Sequence, residues 1–345
     1  MQARTLDAYL NTFTSHRDPV RIQIAAVIRA FADAALQVRK SVNEGALGAA
    51  FAEERSSNNA GGDTQKDLDV YADNRFIDAA RRAGVGHYAS EELANPVELS
   101  QQGKLAVAID PLDGSSNIDT NVSIGTIFSI LPRLEAVGDT FSQPGRNQLA
   151  AGFFIYGPQL ALALTKLNGT RIYVFSSRLG TFVEAYPSIA IPRLSTEFAV
   201  NASNYRHWDE AIRLYVDDCL AGTDGPRDRD FNMRWIASLV ADAYRILIRG
   251  GVFLYPRDNR KGYSQGRLRL VYEANPMALL MEQAGGHATD GLTSILDLVP
   301  TDLHQRTPLV FGSRKEVEKI KRYHGEPSAI GNRHPLFGNR GLFRA

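Results

Sequence analysis

The residues best placed to do chemistry are acidic side chains at the ends of predicted elements: Asp63, Asp69, the pair Glu91-Glu92, Asp110, Asp113 and Glu273. Asp110 and Asp113 belong to Asp-Pro-Leu-Asp-Gly-Ser-Ser-Asn, which spans 110–117. An apolar strand, Leu105 to Ile109, ends abruptly at Asp110, Pro111 forces a turn, and Asp113 follows, so that two carboxylates and the Leu112 carbonyl aim at one point. An all-oxygen ligand set suits a hard cation. Gly114, with no Cβ, lets backbone N–H groups approach an oxyanion, and Ser115 and Ser116 can cap a following helix, so a phosphate would sit beside the metal. If several of these carboxylates converge, each pair about 4 Å apart repels by roughly 4 kcal/mol at an effective dielectric near ~20. Bound cations relieve that repulsion, and magnesium is the natural ion for oxygen ligands.

Taken singly, each group also has a plain structural reading. Glu91-Glu92 before a helix suits an N-terminal charge pair, Asp69 suits a solvated helix position, and the 110–117 octapeptide suits a well-capped turn. Every one of its eight residues has a role at a metal–phosphate site, however, which favours function over a turn alone.

The elements that must position these groups follow from periodicity. Apolar residues from Asp18 to Lys40 (Val20, Ile24, Val27, Ile28, Phe31, Ala35, Val38) recur at helical spacing. A second helix is predicted over Asp67 to Ala83, after a polar loop at Ser56 to Gly62. Strands are predicted at Leu105–Ile109, Thr126–Leu131, Ala151–Ile155, Leu160–Leu164 and Thr170–Phe175, making a sheet-rich first lobe over 1–193. Pro187 to Leu194 is a connector. A second α/β lobe, 194–324, should hold helices at Trp208–Leu220 and Arg234–Arg249, strands at Val252–Tyr255 and Leu268–Tyr272, and a helix Pro276–Ala284 closed by Gly285 and Gly286. The Gly/Pro/Arg-rich segment 325–345 carries no periodicity and is expected to be an irregular tail.

Bulk properties narrow the function. The 345 residues carry 39 Lys plus Arg against 38 Asp plus Glu, a balance that gives no general attraction to nucleic acid or an anionic membrane. One cysteine, Cys219, excludes an intrachain disulfide and a cysteine-rich zinc site. Met1 to Leu10 lacks the signature of a signal peptide and no apolar run is long enough to span a bilayer, so a cytoplasmic protein is expected.

Beyond the 110–117 core, the sequence resembles class I fructose-1,6-bisphosphatases, a branch of the lithium-sensitive phosphatase superfamily that includes inositol monophosphatases. The resemblance runs through Gly62 to Val70, Ser90-Glu91-Glu92, Asp110 to Asp119, Val122 to Phe128, Gly250 to Pro256, Leu268 to Ala278, Gly285-Gly286 and Val299 to Arg306. Tyr272-Glu273-Ala274-Asn275-Pro276-Met277-Ala278 and Pro300 to Arg306 resemble the bisphosphatase branch specifically. The resemblance implies a layered αβαβα sandwich of the sugar phosphatase fold, in two lobes. It implies magnesium ligands at Glu91, Asp110, the Leu112 carbonyl, Asp113 and Glu273, with two to three ions per subunit and manganese able to substitute. It implies in-line attack of water on the 1-phosphate, with Glu92, Asp69 and Asp63 as catalytic residues and Glu92 and Asp69 handling the proton. Asp113, Gly114, Ser115 and Ser116 then face the 1-phosphate with Arg269, and a 6-phosphate pocket is formed by Asn201, Tyr255 and Arg267, with Arg234 reaching in from another subunit. A homotetramer and a place in gluconeogenesis or the Calvin cycle are implied by the same likeness, sedoheptulose 1,7-bisphosphate being a second candidate substrate.

The sequence departs from that pattern in places. Arg267 stands where many members carry Lys, and Asn204 and Trp235 stand where animal enzymes have tyrosines that reach the 6-phosphate. The glycine-threonine-rich AMP-binding start is absent around His16 to Arg21, and Leu105 replaces a tyrosine, so inhibition by AMP is not expected. The rival readings are an inositol-phosphate or nucleotide phosphatase, and a catalytically dead sugar-phosphate sensor. A mere sensor has no use for so costly a carboxylate cluster.

Overall fold

The computed structural model describes residues 4–44 and 64–325. The polar run Ser56 to Gly62, Asp63 and residues 326–345 of the expected tail lie outside the described residues. Two sheets organise the fold. The larger holds eight strands in the order β2-β1-β3-β4-β5-β6-β7-β8: β1 (His87–Ser90), β2 (Val97–Glu98), β3 (Leu105–Asp113), β4 (Ile124–Pro132), β5 (Ala150–Tyr156), β6 (Leu160–Thr165), β7 (Thr170–Ser176) and β8 (Thr181–Tyr186). From β3 to β8 it is a meander of antiparallel neighbours, and only β1 runs parallel to β3. The smaller sheet has the order β10-β9-β11-β15-β13, formed by β9 (Glu197–Ala199), β10 (Asn232–Met233), β11 (Val252–Tyr255), β13 (His287–Thr289) and β15 (Leu309–Gly312). A two-stranded ribbon pairs β12 (Leu268–Arg269) with β14 (Arg306–Thr307).

Alternation of side chains along these strands builds the layers. Phe128 and Phe154 face one way, into a core shared with α1 (Leu6–Phe13), α2 (Pro19–Glu44) and α3 (Thr64–Arg82). Their neighbours Ile127 and Phe153 face the other way. They meet α6 (Leu239–Arg249) and α7 (Asn275–Gln283), which pack in turn on Phe253, Leu309 and Phe311 of the smaller sheet. On that sheet's far face Val252, Leu254 and Val310 pack under α5 (Glu210–Leu220) and α8 (Arg314–Gly325). The result is helix, sheet, helix, sheet, helix: the layered αβαβα sandwich expected. The short α4 (Val137–Phe141) closes one edge near β1. The segment 187–196, between the two sheets, carries no helix or strand. Among the described residues no helix is long and apolar enough to cross a membrane.

Four local expectations need correction. The strand from Leu105 does not end at Asp110 but continues to Asp113 with a register shift, Asp110 facing Ile127 and Asp113 facing Gly125. Three steps on β3 oppose two on β4, a bulge; Pro111 has no N–H for the ladder, and the Leu112 N–H turns to Asp110 Oδ1 at 3.1 Å. No helix follows Glu91-Glu92; the next element is β2, which removes the charge-pair reading. The helix predicted from Arg234 starts only at Leu239, because Ala237 adopts φ 64° and Ser238 caps the helix by accepting from the Ala241 N–H. The strand predicted over Leu268–Tyr272 stops at Arg269 and becomes a π-helical turn, Leu270–Ala274. There the Leu270 N–H donates to the Gln305 carbonyl, Pro276 offers no N–H to the next turn, and the Asn275 N–H closes the wide ring on the Leu270 carbonyl.

Gly125 lies where the larger sheet closely approaches α6. A Cβ there would lie 2.3 Å from the Phe154 carbonyl oxygen and 2.7 Å from both Val240 methyls. Gly125→Ala should therefore lower stability by about 1–3 kcal/mol through overpacking, seen as a fall of several degrees in the thermal midpoint. Because Val240 also donates to Asp113, activity should fall with it.

Candidate active site

Burial and charge collide at the end of β3. Ligand oxygens of Asp110, Asp113 and Glu273, all buried, lie within 4.8 Å of one another. The backbone brings them together in three ways. The bulge turns Asp110 and Asp113 to the same end of the strand. The π-turn presents Glu273, whose carboxylate accepts the Arg269 N–H at 2.5 Å. The N-terminus of α6 meets Asp113, its Val240 N–H donating at 3.3 Å, where the helix dipole favours a negative charge.

These contacts do not offset the confinement. Burial, and then the charges of Glu91, Asp113 and Glu273, push the Asp110 carboxyl well above the usual carboxylate range. Burial pushes Asp113 up to about 7, with the Val240 N–H opposing and Glu91 adding. Glu273 rises strongly for the same reason, burial first and Glu91 next. Three buried carboxyl groups held against their own charge, with only oxygen donors between them, fit hard divalent cations.

Glu91 borders the trio. Its N–H continues the strand by donating to the Ile109 carbonyl at 3.1 Å, and its carboxylate lies 3.8 Å from Arg269 Nε. Leu112 sits inside the bulge. Beside it Gly114 adopts φ 76° and opens a short 3₁₀ turn, Ser115–Asn117, so the glycine and not a serine side chain caps that turn. Among the described residues no hydrogen bond engages the Ser115 and Ser116 backbone N–H groups. The turn is pinned to the α6 start by Asn117 Nδ2 donating to the Ala237 carbonyl at 2.9 Å. Of the remaining sequence candidates, Glu92 is exposed just after Glu91, with its N–H on Ser90 Oγ. Asp69 is half-buried on α3. Both stand outside the buried trio, and Asp63 lies outside the described residues.

A second polar pocket lies beyond the ribbon. Asn201, Asn204, Trp208, Tyr255, Asp258 and Arg267 line it, so three of the sequence candidates, Asn201, Tyr255 and Arg267, share one wall. Trp235 stacks on Tyr255 at 5.9 Å between ring centroids, continuing a stack with Phe253. Arg234 is not in this pocket; it is exposed on the surface, 3.8 Å from Glu197. Arg269, two residues from Arg267 and so about 7 Å along an extended chain, belongs to the carboxylate side: besides its contact with Glu91 it donates to the His304 carbonyl at 2.9 Å.

Sequence reasoning missed the groups that buttress the site. Thr126 Oγ1 donates to the Pro111 carbonyl at 2.8 Å and lies 2.7 Å from the Tyr156 hydroxyl, which fixes the bulge from behind. His304 bridges the Tyr272 hydroxyl and the Leu93 carbonyl at 2.7 and 3.1 Å, tying the π-turn to the segment after Glu91-Glu92. A buried threonine amid an apolar strand was the only hint of the first.

The carboxyl shifts predict a pH dependence. Asp113 keeps its proton in the folded chain up to about pH 7, whereas the unfolded chain releases it near ~4. Between those values the folded state binds more protons, so this contribution to stability is complete below about pH 4 and is lost as pH rises through 7. Without divalent cations, the thermal midpoint of Asp113→Asn should therefore gain on the unsubstituted protein as pH rises from 5 to 8, and the stabilisation by added Mg²⁺ should grow over the same range. A pH-independent difference between the two metal-free proteins would contradict the assignment.

Comparison with known proteins agrees with this geometry. Residues 11–187 match the family model described as fructose-1-6-bisphosphatase, N-terminal domain, and residues 191–325 match that of its C-terminal domain. The chain is 64% identical over 349 aligned positions to the fructose-1,6-bisphosphatase class 1 of Rhizobium meliloti, each covered at 100%. It is 53% identical over 329 positions to that of Azorhizobium caulinodans, with 94% of this chain and 100% of the relative covered. The crystal structure of Leishmania major fructose-1,6-bisphosphatase in holo form superposes with a TM-score of 0.82 at 30% identity, over 94% of this chain and 100% of that one. A carboxylate cluster on a bulged strand, within this five-layer frame and these likenesses, makes the chain a phosphatase that belongs to the class 1 fructose-1,6-bisphosphatase family.

Proposed function

We propose that the chain hydrolyses the 1-phosphate ester of fructose 1,6-bisphosphate to fructose 6-phosphate and phosphate, at the Asp110–Asp113–Glu273 cluster and with Mg²⁺ as the working cation. The observation that carries this reading is the approach of three buried carboxylates within 4.8 Å, beside the backbone N–H groups of Ser115 and Ser116, which no hydrogen bond engages among the described residues. Asp110, Asp113, Glu273 and Glu91, with the Leu112 carbonyl, would hold the cations, two to three per subunit. When bound, these supply Lewis-acid polarisation of the phosphoryl group and neutralise charge developing on the leaving oxygen.

The chain's own groups do the rest. The Ser115 and Ser116 N–H groups bind phosphoryl oxygens, and Arg269 balances charge at the cluster edge. Glu92 and Asp69 take the proton of the attacking water, and Asp63 completes the catalytic set. Asn201, Tyr255 and Arg267 bind the 6-phosphate and so hold the sugar with its 1-phosphate at the carboxylates, a step of orientation that costs no chemistry at the reacting atoms. Arg234, exposed and outside its own protomer's pocket, suits a role at a neighbouring subunit's 6-phosphate within a homotetramer. A cytoplasmic location, in gluconeogenesis or the Calvin cycle, fits this substrate.

The test is phosphate release from fructose 1,6-bisphosphate, sedoheptulose 1,7-bisphosphate and inositol monophosphate, with and without Mg²⁺. Fructose 1,6-bisphosphate should be cleaved only with the cation, and inositol monophosphate at least about 100-fold less efficiently, since it cannot fill the second anion pocket. Preference for inositol monophosphate would sink the reading. Asp110→Asn, which removes a charged ligand while keeping its volume, should leave the fold intact and lower kcat by about 10³-fold or more; near-normal turnover would refute the site.

A further inference from the structure

The second polar pocket contains a charge that opposes its proposed ligand. Asp258 lines it and is buried, and an unneutralised carboxylate in the wall would repel a phosphate dianion at short range. Arg260 answers that charge. Its Nε donates to Asp258 Oδ1 at 3.0 Å and its Nη2 to Oδ2 at 2.5 Å, a two-pronged pair, while its backbone N–H adds a third bond to Oδ1 at 3.0 Å. The same Nη2 also donates to Asn204 Oδ1 at 2.9 Å, so Arg260 clamps two residues of the pocket wall together. Its Nη1 makes no hydrogen bond among the described residues.

Arg267 approaches the same carboxylate oxygen that Arg260 Nη2 holds, its own Nη2 lying 4.0 Å from Asp258 Oδ2. Both guanidinium groups lie over the Tyr263 ring, Arg260 at 5.0 Å and Arg267 at 3.7 Å from its centroid. The electron-rich ring attracts both cations and so offsets part of their mutual repulsion. The backbone is folded to keep this arrangement. The Asp258 N–H donates to the Tyr263 carbonyl at 3.2 Å, the Tyr263 N–H to the Arg260 carbonyl at 3.1 Å, and the Asn259 N–H to the His207 carbonyl at 3.1 Å, which ties the loop to the segment that follows Asn201 and Asn204.

We infer that Arg260 is a specificity-determining residue for the distal phosphate of the substrate: it neutralises Asp258, fixes Asn204, and with Arg267 turns an otherwise ambivalent pocket into one that accepts a dianion. The inference rests on the proposed bisphosphatase reading. It accounts for how a pocket lined by Asn204, with Trp235 stacked on its Tyr255, recognises the far phosphate through guanidinium groups ordered around a carboxylate. A bidentate pair also fixes the fork's plane, which a single ammonium would not do.

The test compares kcat and KM for fructose 1,6-bisphosphate and fructose 1-phosphate, which lacks the distal group. Arg260→Ala should raise KM for the bisphosphate by about 10- to 100-fold, and should lower the ratio of kcat/KM for bisphosphate over monophosphate by at least about tenfold. Adding Asp258→Asn to Arg260→Ala should recover a large part of the loss, because the unopposed carboxylate goes with it. Arg260→Lys, which keeps the charge but not the fork, should fall between, and it carries the test if the alanine variant fails to fold. An equal loss on both substrates, a change in the ratio below about threefold, or no recovery in the double variant would overturn the inference. If the unsubstituted protein cleaves neither sugar, the bisphosphatase reading falls, and this inference with it.

Discussion

Three carboxylates that would rather be protonated hold the key position in this molecule. Asp110, Asp113 and Glu273 are buried and close, and the cost of charging them together is met only when positive charge enters their midst. Much of the surrounding structure serves that confinement. The bulge spends the Leu112 N–H on Asp110, the start of α6 spends the Val240 N–H on Asp113, and the π-turn spends the Arg269 N–H on Glu273. Each carboxylate receives one backbone donor: enough to orient it, too few to satisfy its charge.

The five layers explain why the site forms where it does. β3 belongs to the larger sheet, α6 and the π-turn leading into α7 belong to the middle helical layer, and the ribbon that carries Arg269 is anchored at the edge of the second half. The acidic trio therefore sits where one sheet, two helix starts and a connecting ribbon converge, and the hydrophobic contacts of Ile127, Phe153, Val240 and Leu270 that join the two sheets also set the distances among the acids. Packing and chemistry are not separable here. The distal pocket is coupled to the same frame, since Arg267 and Arg269 lie on one short stretch of chain, the first lining that pocket and the second beside Glu91.

Much of this was legible in the sequence. Short apolar runs gave the strands of the meander, and Asp-Pro-Leu-Asp-Gly-Ser-Ser-Asn marked out the stretch that carries two of the three clustered carboxylates. What could not be read were departures from regular geometry. Leu268 to Tyr272 has the composition of a strand, but its partner β14, far along the chain, pairs only with Leu268 and Arg269, and the chain then turns into the wide ring closed by Asn275. The bulge at Pro111 was half visible: the proline forbids a ladder bond, but continuation of the strand to Asp113 depends on Gly125 across the sheet. The partnership of Arg260 with Asp258 and Asn204 was invisible because, although Asp258 is only two positions away, Asn204 lies 56 positions earlier and all three side chains look like ordinary surface polarity. The loop that would carry Asp63 is not among the described residues.

The π-helical turn has an evolutionary corollary. A π-turn holds one residue more than the α-helical turn it replaces, and Glu273 occupies it with Leu270 fixed at one end by Gln305 and Asn275 at the other. Loss of a single codon there would rewind the segment as α-helix, and with the buried side chains of α7 held in place by the core the residues of the turn would change phase by about 100°, carrying the glutamate away from its partners. The length of this segment, independent of its composition, therefore matters to the site as much as the acid it carries.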